Sequence, residues 1–121
     1  MESSNLEFYR NSINYILSVQ NKDGSIPWEL EEKLDPWDHI EAAMGLSIAG
    51  KKDEAEKAFL WLSDSQLKDG SWYAEYLNSI PMTQRKETNF SAYIGTGLWH
   101  YYLIFKDKDF IENMLPTLSK A

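Results

Sequence analysis

The sequence predicts an all-α fold of helical hairpin repeats laid side by side as part of a ring. The first sign is a loop written twice: Gln20-Asn-Lys-Asp-Gly-Ser-Ile26 and Gln66-Leu-Lys-Asp-Gly-Ser-Trp72 match in register, 46 positions apart. The second is that each copy follows an amphipathic helical pattern and precedes a segment that is apolar nearly all round. The third is size: 121 residues, 43% hydrophobic and 14% aromatic, are material for a single core. A turn repeated in so short a chain implies two hairpins, neither able to bury its apolar face without a neighbour.

The first helix is read from Leu6, Tyr9, Ile13, Ile16, Leu17 and Val19, which recur at spacings of three and four. Gly24 can take the left-handed conformation of a helix stop, and Pro27 blocks early resumption. A second helix starts with Asp35 as N-cap, Pro36 at the first helical position and Asp38 three residues after the cap, and runs to Gly50. Its Ala, Met, Gly and Leu interior predicts burial on most sides. The third, about 53–65, sets Ala55, Ala58, Phe59 and Leu62 against a charged face of Lys51, Lys52, Glu54 and Lys57.

The fourth helix, about 88–105, is apolar nearly all round, and its Tyr93 to Leu98 aligns with Glu41 to Leu46 at an offset of 52. A fifth segment, 109–121, carries Phe110, Ile111, Met114, Leu115 and Leu118 at helical spacing, with Pro116 predicting a break or a new start. The expected organisation is one domain, 1–121, with units of about 4–50 and 51–106 and the start of a third at about 109–121.

The 12 basic and 19 acidic residues leave a net charge of −7, which repels polyanions, so no nucleic-acid partner is expected. The absence of cysteine excludes disulfides, thiolate metal sites and cysteine nucleophiles. MESSNLEFYR lacks the basic and apolar regions of a signal peptide, and no apolar run is long enough to span a bilayer. A cytoplasmic protein is the expectation.

Leu62-x-x-x-Gln66-x-x-x-Gly70-x-Trp72 resembles the QW repeat of the prenyltransferase and squalene-cyclase superfamily of α/α toroids. The earlier copy, Ile16-x-x-x-Gln20-x-x-x-Gly24-x-Ile26, keeps the Gln and Gly and replaces the Trp. DPWDHIEAAMGL at 35–46 and ETNFSAYIGTGLWHYY at 87–102 are similar to segments of bacterial prenyltransferase-like proteins. The resemblance implies part of an α/α toroid and an enzyme acting on an isoprenoid or other large apolar substrate. The chain departs from the superfamily's chemistry: Asp35-Pro-Trp-Asp38 is not the cyclase D-x-D-D motif, and the zinc-binding Cys of protein prenyltransferases has no counterpart. Its five helices are too few for a closed ring, which implies a homodimer or the missing remainder of a longer chain.

The cavity of such a toroid is lined by its inner helices, here the second and fourth. Asp35, Asp38 and Glu41 form one stripe at spacings of three, suited to acid–base work, although Asp35 and Asp38 also read as a cap and a first-turn acid. Glu41 enters an apolar helix and is expected buried and in need of a partner. Glu41 and Asp38 are the catalytic candidates; Trp37, Asp35, Glu87, Asn89 and Tyr93 are the expected binding residues. No cofactor or metal is expected: His39 beside Asp35 reads as a salt-bridged surface group before it reads as a metal ligand, and His100 as a residue hydrogen-bonded within the core. Trp72 is expected to tie its loop to neighbouring helices, while Trp28 and Trp37 could stack on a ligand.

Two alternatives stand beside the isoprenoid reading. One is a carbohydrate-active α/α barrel, which needs two carboxylates about 5–10 Å apart across an open cleft; Glu41 and Glu87 are the pair that would serve. The other is a non-catalytic helical-repeat assembly module. The ligand is accordingly an apolar or a carbohydrate small molecule.

Overall fold

The computed structural model describes residues 2–121, with side chains from Glu7 onward, so the expected contribution of Leu6 to the first helical face lies outside the described residues. Among the described residues the fold is all-α apart from one short hairpin. Its elements are α1 (Glu2–Val19), α2 (Pro36–Ile48), α3 (Lys52–Ser65), β1 (Tyr76–Leu77), β2 (Ile80–Pro81), α4 (Thr88–Phe105) and α5 (Lys108–Lys120). The apolar helices α2 and α4 pack on each other, α2 also packs on α1 and α3, and α5 packs on α3 and α4; α4 reaches α3 through side chains, Tyr101 meeting Phe59 and Glu56. At the α2–α4 crossing Gly97 admits Ile40, whose Cγ2 lies 2.7 Å from where a Cβ on Gly97 would stand. Ile40, Phe59, Leu62, Ile94 and Leu98 form the fully buried centre.

The duplicated loop has a physical purpose visible in both copies. Gln20 Nε2 donates to the carbonyls of Gly24 at 3.1 Å and of Glu54 in α3 at 2.9 Å. Gln66 Nε2 donates likewise to Gly70 at 3.0 Å and to Thr117 in α5 at 2.9 Å. In each copy the Asp side chain accepts the N–H of the Ser two residues on, at 3.0 Å, which closes an Asx turn. Gly24 (φ +95) and Gly70 (φ +89) press against the Lys57 and Lys120 carbonyls, where a Cβ would stand 2.1 and 1.7 Å from the oxygen. Each turn is thereby seated on the following outer helix. Trp72, 1% exposed, holds its own loop by donating to the Leu62 carbonyl at 2.9 Å.

Local signals account for the helix ends. Asp35 is extended (φ −115, ψ 146) and its Oδ1 accepts the Asp38 N–H at 2.8 Å, with Pro36 at N1. Asp107 caps α5 through the Phe110 N–H at 3.1 Å. Contrary to expectation, α5 runs unbroken through Pro116. Pro116 is exposed, and the buried Phe110, Met114 and Thr117 on the inward face hold the helix across the missing hydrogen bond.

His39 is also corrected. It is fully buried, with Nδ1 accepting the Ile26 N–H at 3.1 Å and Nε2 donating to the Ala58 carbonyl at 2.7 Å. Both ring nitrogens are thus taken by backbone, which leaves neither free to bind a metal with Asp35. Burial pushes its pKa down to about 4, so the ring is neutral. His100 differs from expectation too: its buried Nδ1 has no hydrogen-bond partner among the described residues.

The long second linker forms the β1–β2 hairpin, with Asn78 (φ 51) and Ser79 (φ 65) at the turn. Ser79 Oγ accepts from Trp61 Nε1 at 3.0 Å and donates to Asp23, which fastens the hairpin to the first loop. Leu34 and Tyr76 exchange backbone hydrogen bonds of 2.8 and 2.9 Å, joining the two linkers just before α2 begins.

Candidate functional site

The linkers and the first turns of α2 and α4 enclose an open cleft of about 400 Å³. Of the residues expected at the site, Asp35, Trp37, Asp38, Glu87 and Asn89 line it together. The stripe reading of α2 explains the first three, since the cap, the next residue and the first-turn acid all sit where the helix opens onto the cleft.

Asp35 is the hub of this wall. Its Oδ1 serves as the cap, and its Oδ2 accepts the indole N–H of Trp28 at 2.7 Å. Trp28 is itself placed by backbone: its N–H donates to Lys33 at 3.0 Å, and its carbonyl accepts the Tyr15 hydroxyl at 2.7 Å. Asp38 stands beside Asp35. Partial desolvation, then a hydrogen bond to Asp35 and the negative charges of Asp35 and Glu41, push the Asp38 carboxyl up to about 6, against a smaller opposing effect of the Trp28 N–H. A carboxyl group in that range can carry a proton at neutral pH and release it.

The other carboxylates of the cleft are neutralised. Glu87 pairs with Arg85, and Glu75 with Lys33 at 3.4 Å. The pair envisaged across the cleft, Glu41 and Glu87, is therefore not the pair found: Glu41 lies outside the lining and is exposed, not buried. It accepts the indole N–H of Trp37 one turn earlier on α2. Tyr93 also stands behind the lining, where its ring stacks flat on Trp37 with centroids 3.8 Å apart. Glu41 and Tyr93 together fix the Trp37 ring at the edge of the cleft.

Sequence reasoning missed Glu75, Arg85 and Phe90 in the lining, and the bond from Trp28 to Asp35. Spacing carries no signal for the linker residues, because the Leu34–Tyr76 bridge that gathers them is a long-range backbone contact. The Arg85–Glu87 alternation could have suggested a local ion pair.

No family model matches the chain. A curated protein of Mycolicibacterium hassiacum, an MMP endo-(1,4)-3-O-methyl-alpha-D-mannosidase, is 39% identical over 112 residues. The match covers 93% of this chain, which spans 31% of the relative's length. This finding overturns the resemblance to prenyltransferases and squalene cyclases, since the relative is a glycosidase. The structure gives the physical reason. The Gln and Gly of the repeat seat a turn on the next helix, a requirement of stacked hairpins of any activity, and the cleft they help build is open and rich in carboxylates. Among the described residues no helix is long and apolar enough to cross a membrane.

Proposed function

We propose that the chain is the carbohydrate-binding and acid-bearing part of a glycosidase, with a 1,4-linked 3-O-methyl-α-D-mannose chain as its substrate. The observation that carries the reading is the Asp35–Asp38 pair in a cleft flanked by Trp28 and Trp37. Two adjacent carboxyls whose surroundings set them apart assign the proton to one of them, here Asp38. Tryptophan rings offer apolar faces to the C–H faces of a sugar, and Asn89 and the paired Arg85 and Glu87 offer hydrogen bonds to its hydroxyls.

In this reading Asp38 gives its proton to the glycosidic oxygen as the C–O bond breaks. Water, activated by a second carboxylate on the opposite face of the sugar that lies outside this cleft, supplies the hydroxyl to the anomeric carbon and gives that carboxylate its proton. Asp35 orients Asp38 and, by its charge, keeps the proton there. The identity with the mannosidase supports the substrate class.

The test uses the full 121-residue chain and 1,4-linked α-mannose oligosaccharides with and without 3-O-methyl groups. Calorimetry should detect binding, with the methylated chain preferred, and Trp37→Ala should weaken it by at least tenfold. Release of reducing ends should fall about 10²- to 10⁴-fold in Asp38→Asn, the usual contribution of a general acid. A chain that binds neither oligosaccharide, or an Asp38→Asn variant as active as the parent, sinks the reading.

A further inference from the structure

A second recess, of about 420 Å³, lies between α4 and α5 and differs in kind from the polar cleft. Its walls are Gly95, Leu98, Trp99 and Tyr102 of α4 with Ile111 and Leu118 of α5, and Lys108 and Glu112 also border it. Trp99 is 61% exposed, and the neighbouring Leu103 and Leu115 are also exposed. An apolar surface of this sort calls for a cover.

The internal repeat says what shape the cover has. At the offset of 52 that aligns α2 with α4, Gly95, Leu98 and Trp99 correspond to Ala43, Leu46 and Ser47. The two Gln–carbonyl bonds align α3 with α5 at an offset of 63, which matches Leu118 to Ala55. Ala43, Leu46, Ser47 and Ala55 are all fully buried. Positions 40, 43 and 47 share one stripe of α2, and Ile40 on that stripe meets Gly97 of α4. In the first unit, then, the equivalent groove is filled by α4, a helix apolar nearly all round.

We infer that the α4–α5 groove is a self-association surface, covered by α4 of a second copy of this chain across a two-fold axis. The molecule fills the equivalent groove with the Ile94–Gly97–Tyr101 face of α4, and a second face of the same apolar helix, the one that carries Trp99, is still uncovered. A Cβ built on Gly95 meets only Leu118 Cδ1, at 3.7 Å, so a second backbone can approach closely there. Charge favours the same arrangement. Lys108 and Glu112 border one groove, and a two-fold axis passing between them would set Lys108 against the partner's Glu112 and Glu112 against the partner's Lys108, as a face meeting its own copy requires.

Sedimentation equilibrium of the full chain tests this. The chain is expected to dimerise with a Kd of about micromolar order. Trp99→Glu, on an exposed side chain, should be monomeric with an unchanged helical spectrum, and should melt with the parent at concentrations well below the parent's Kd and below it at concentrations well above. K108E gives an all-acidic groove and E112K an all-basic one, so each alone should dimerise at least about tenfold more weakly, while a mixture of the two should form a heterodimer at least as tight as the parent. Three results would overturn the inference: a parent chain monomeric at high concentration, as it would be if another protein or helix is the true cover; a Trp99→Glu variant that still dimerises; or no preference for the mixed pair. None of these readouts depends on glycan binding.

Discussion

The indole of Trp37 lies flat on the ring of Tyr93, centroids 3.8 Å apart and planes 4° from parallel, and so joins α2 to α4 at the edge of the polar cleft. Removing the lower ring should free the upper one. Tyr93→Ala is expected to cost about 1–2 kcal/mol, the worth of an aromatic pair plus some buried area. It should also weaken glycan affinity without touching a cleft-lining residue. Tyr93→Phe keeps the stack and should preserve both properties. Urea denaturation and calorimetry on the two variants check this.

Asp38 should leave a signature in the pH dependence of stability. Its folded carboxyl titrates at about 6, above the roughly 3.9 of an unfolded aspartate. The folded state therefore favours the proton. That contribution is complete below about pH 4 and is lost as pH rises through 6. Asp38→Asn should accordingly melt higher than the parent at pH 8, with the gain gone at pH 4. Because Asp38 is largely exposed, screening limits the effect to about 1 kcal/mol or less, a few degrees for a domain of this size.

His39 gives the opposite sign. Its folded pKa of about 4 lies below the roughly 6.5 of an unfolded histidine. Stability from neutral burial is present above pH 6.5 and is lost as pH falls toward 4. His39→Ala also strands the Ile26 N–H and the Ala58 carbonyl, each at a cost of about 1–3 kcal/mol. Thermal melts between pH 4 and 8 should show a large deficit at neutral pH that narrows under acid.

Three glycines with positive φ should respond unequally to alanine. At Gly50 (φ +77) no atom lies within 4 Å of the new Cβ, so Gly50→Ala should cost only about 1–2 kcal/mol of backbone strain. At Gly24 and Gly70 the new methyl collides with a backbone carbonyl at 2.1 and 1.7 Å. Those variants should lose more than about 3 kcal/mol, because the turn must lift off the outer helix. Chemical denaturation ranks the three.

Much of this was legible in the sequence because the signals are local. Asp35-Pro36 starts a helix through the geometry of one turn, and each copy of the Gln–Asp–Gly–Ser loop carries its own instructions in an Asx turn and one left-handed glycine. The cleft was half legible. Asp35, Trp37 and Asp38 share a helix start, so spacing brought them together, but Glu75 and Arg85 come from a linker folded by the Leu34–Tyr76 bridge. His39 was misread because the acids Asp35, Asp38 and Glu41 stand near it in sequence while its partners in space are the Ile26 and Ala58 backbone. The Asn78–Ser79 turn was missed because it has left-handed residues without a glycine. The resemblance to isoprenoid enzymes failed because its repeat motif, the Gln and Gly of each turn with Trp72, belongs to the scaffold, while the cleft residues inside 35–46 and 87–102 carry none of that superfamily's catalytic motifs.

The seating of each glycine turn on the helix ahead of it gives the architecture a direction. Turn one leans on α3 and turn two on α5, so fraying of α5 undoes the second latch while the first stays shut. Amide exchange at Gly70 and Ser71 should therefore outpace that at Gly24 and Ser25, and whatever steadies α5 should slow the second pair and leave the first unchanged.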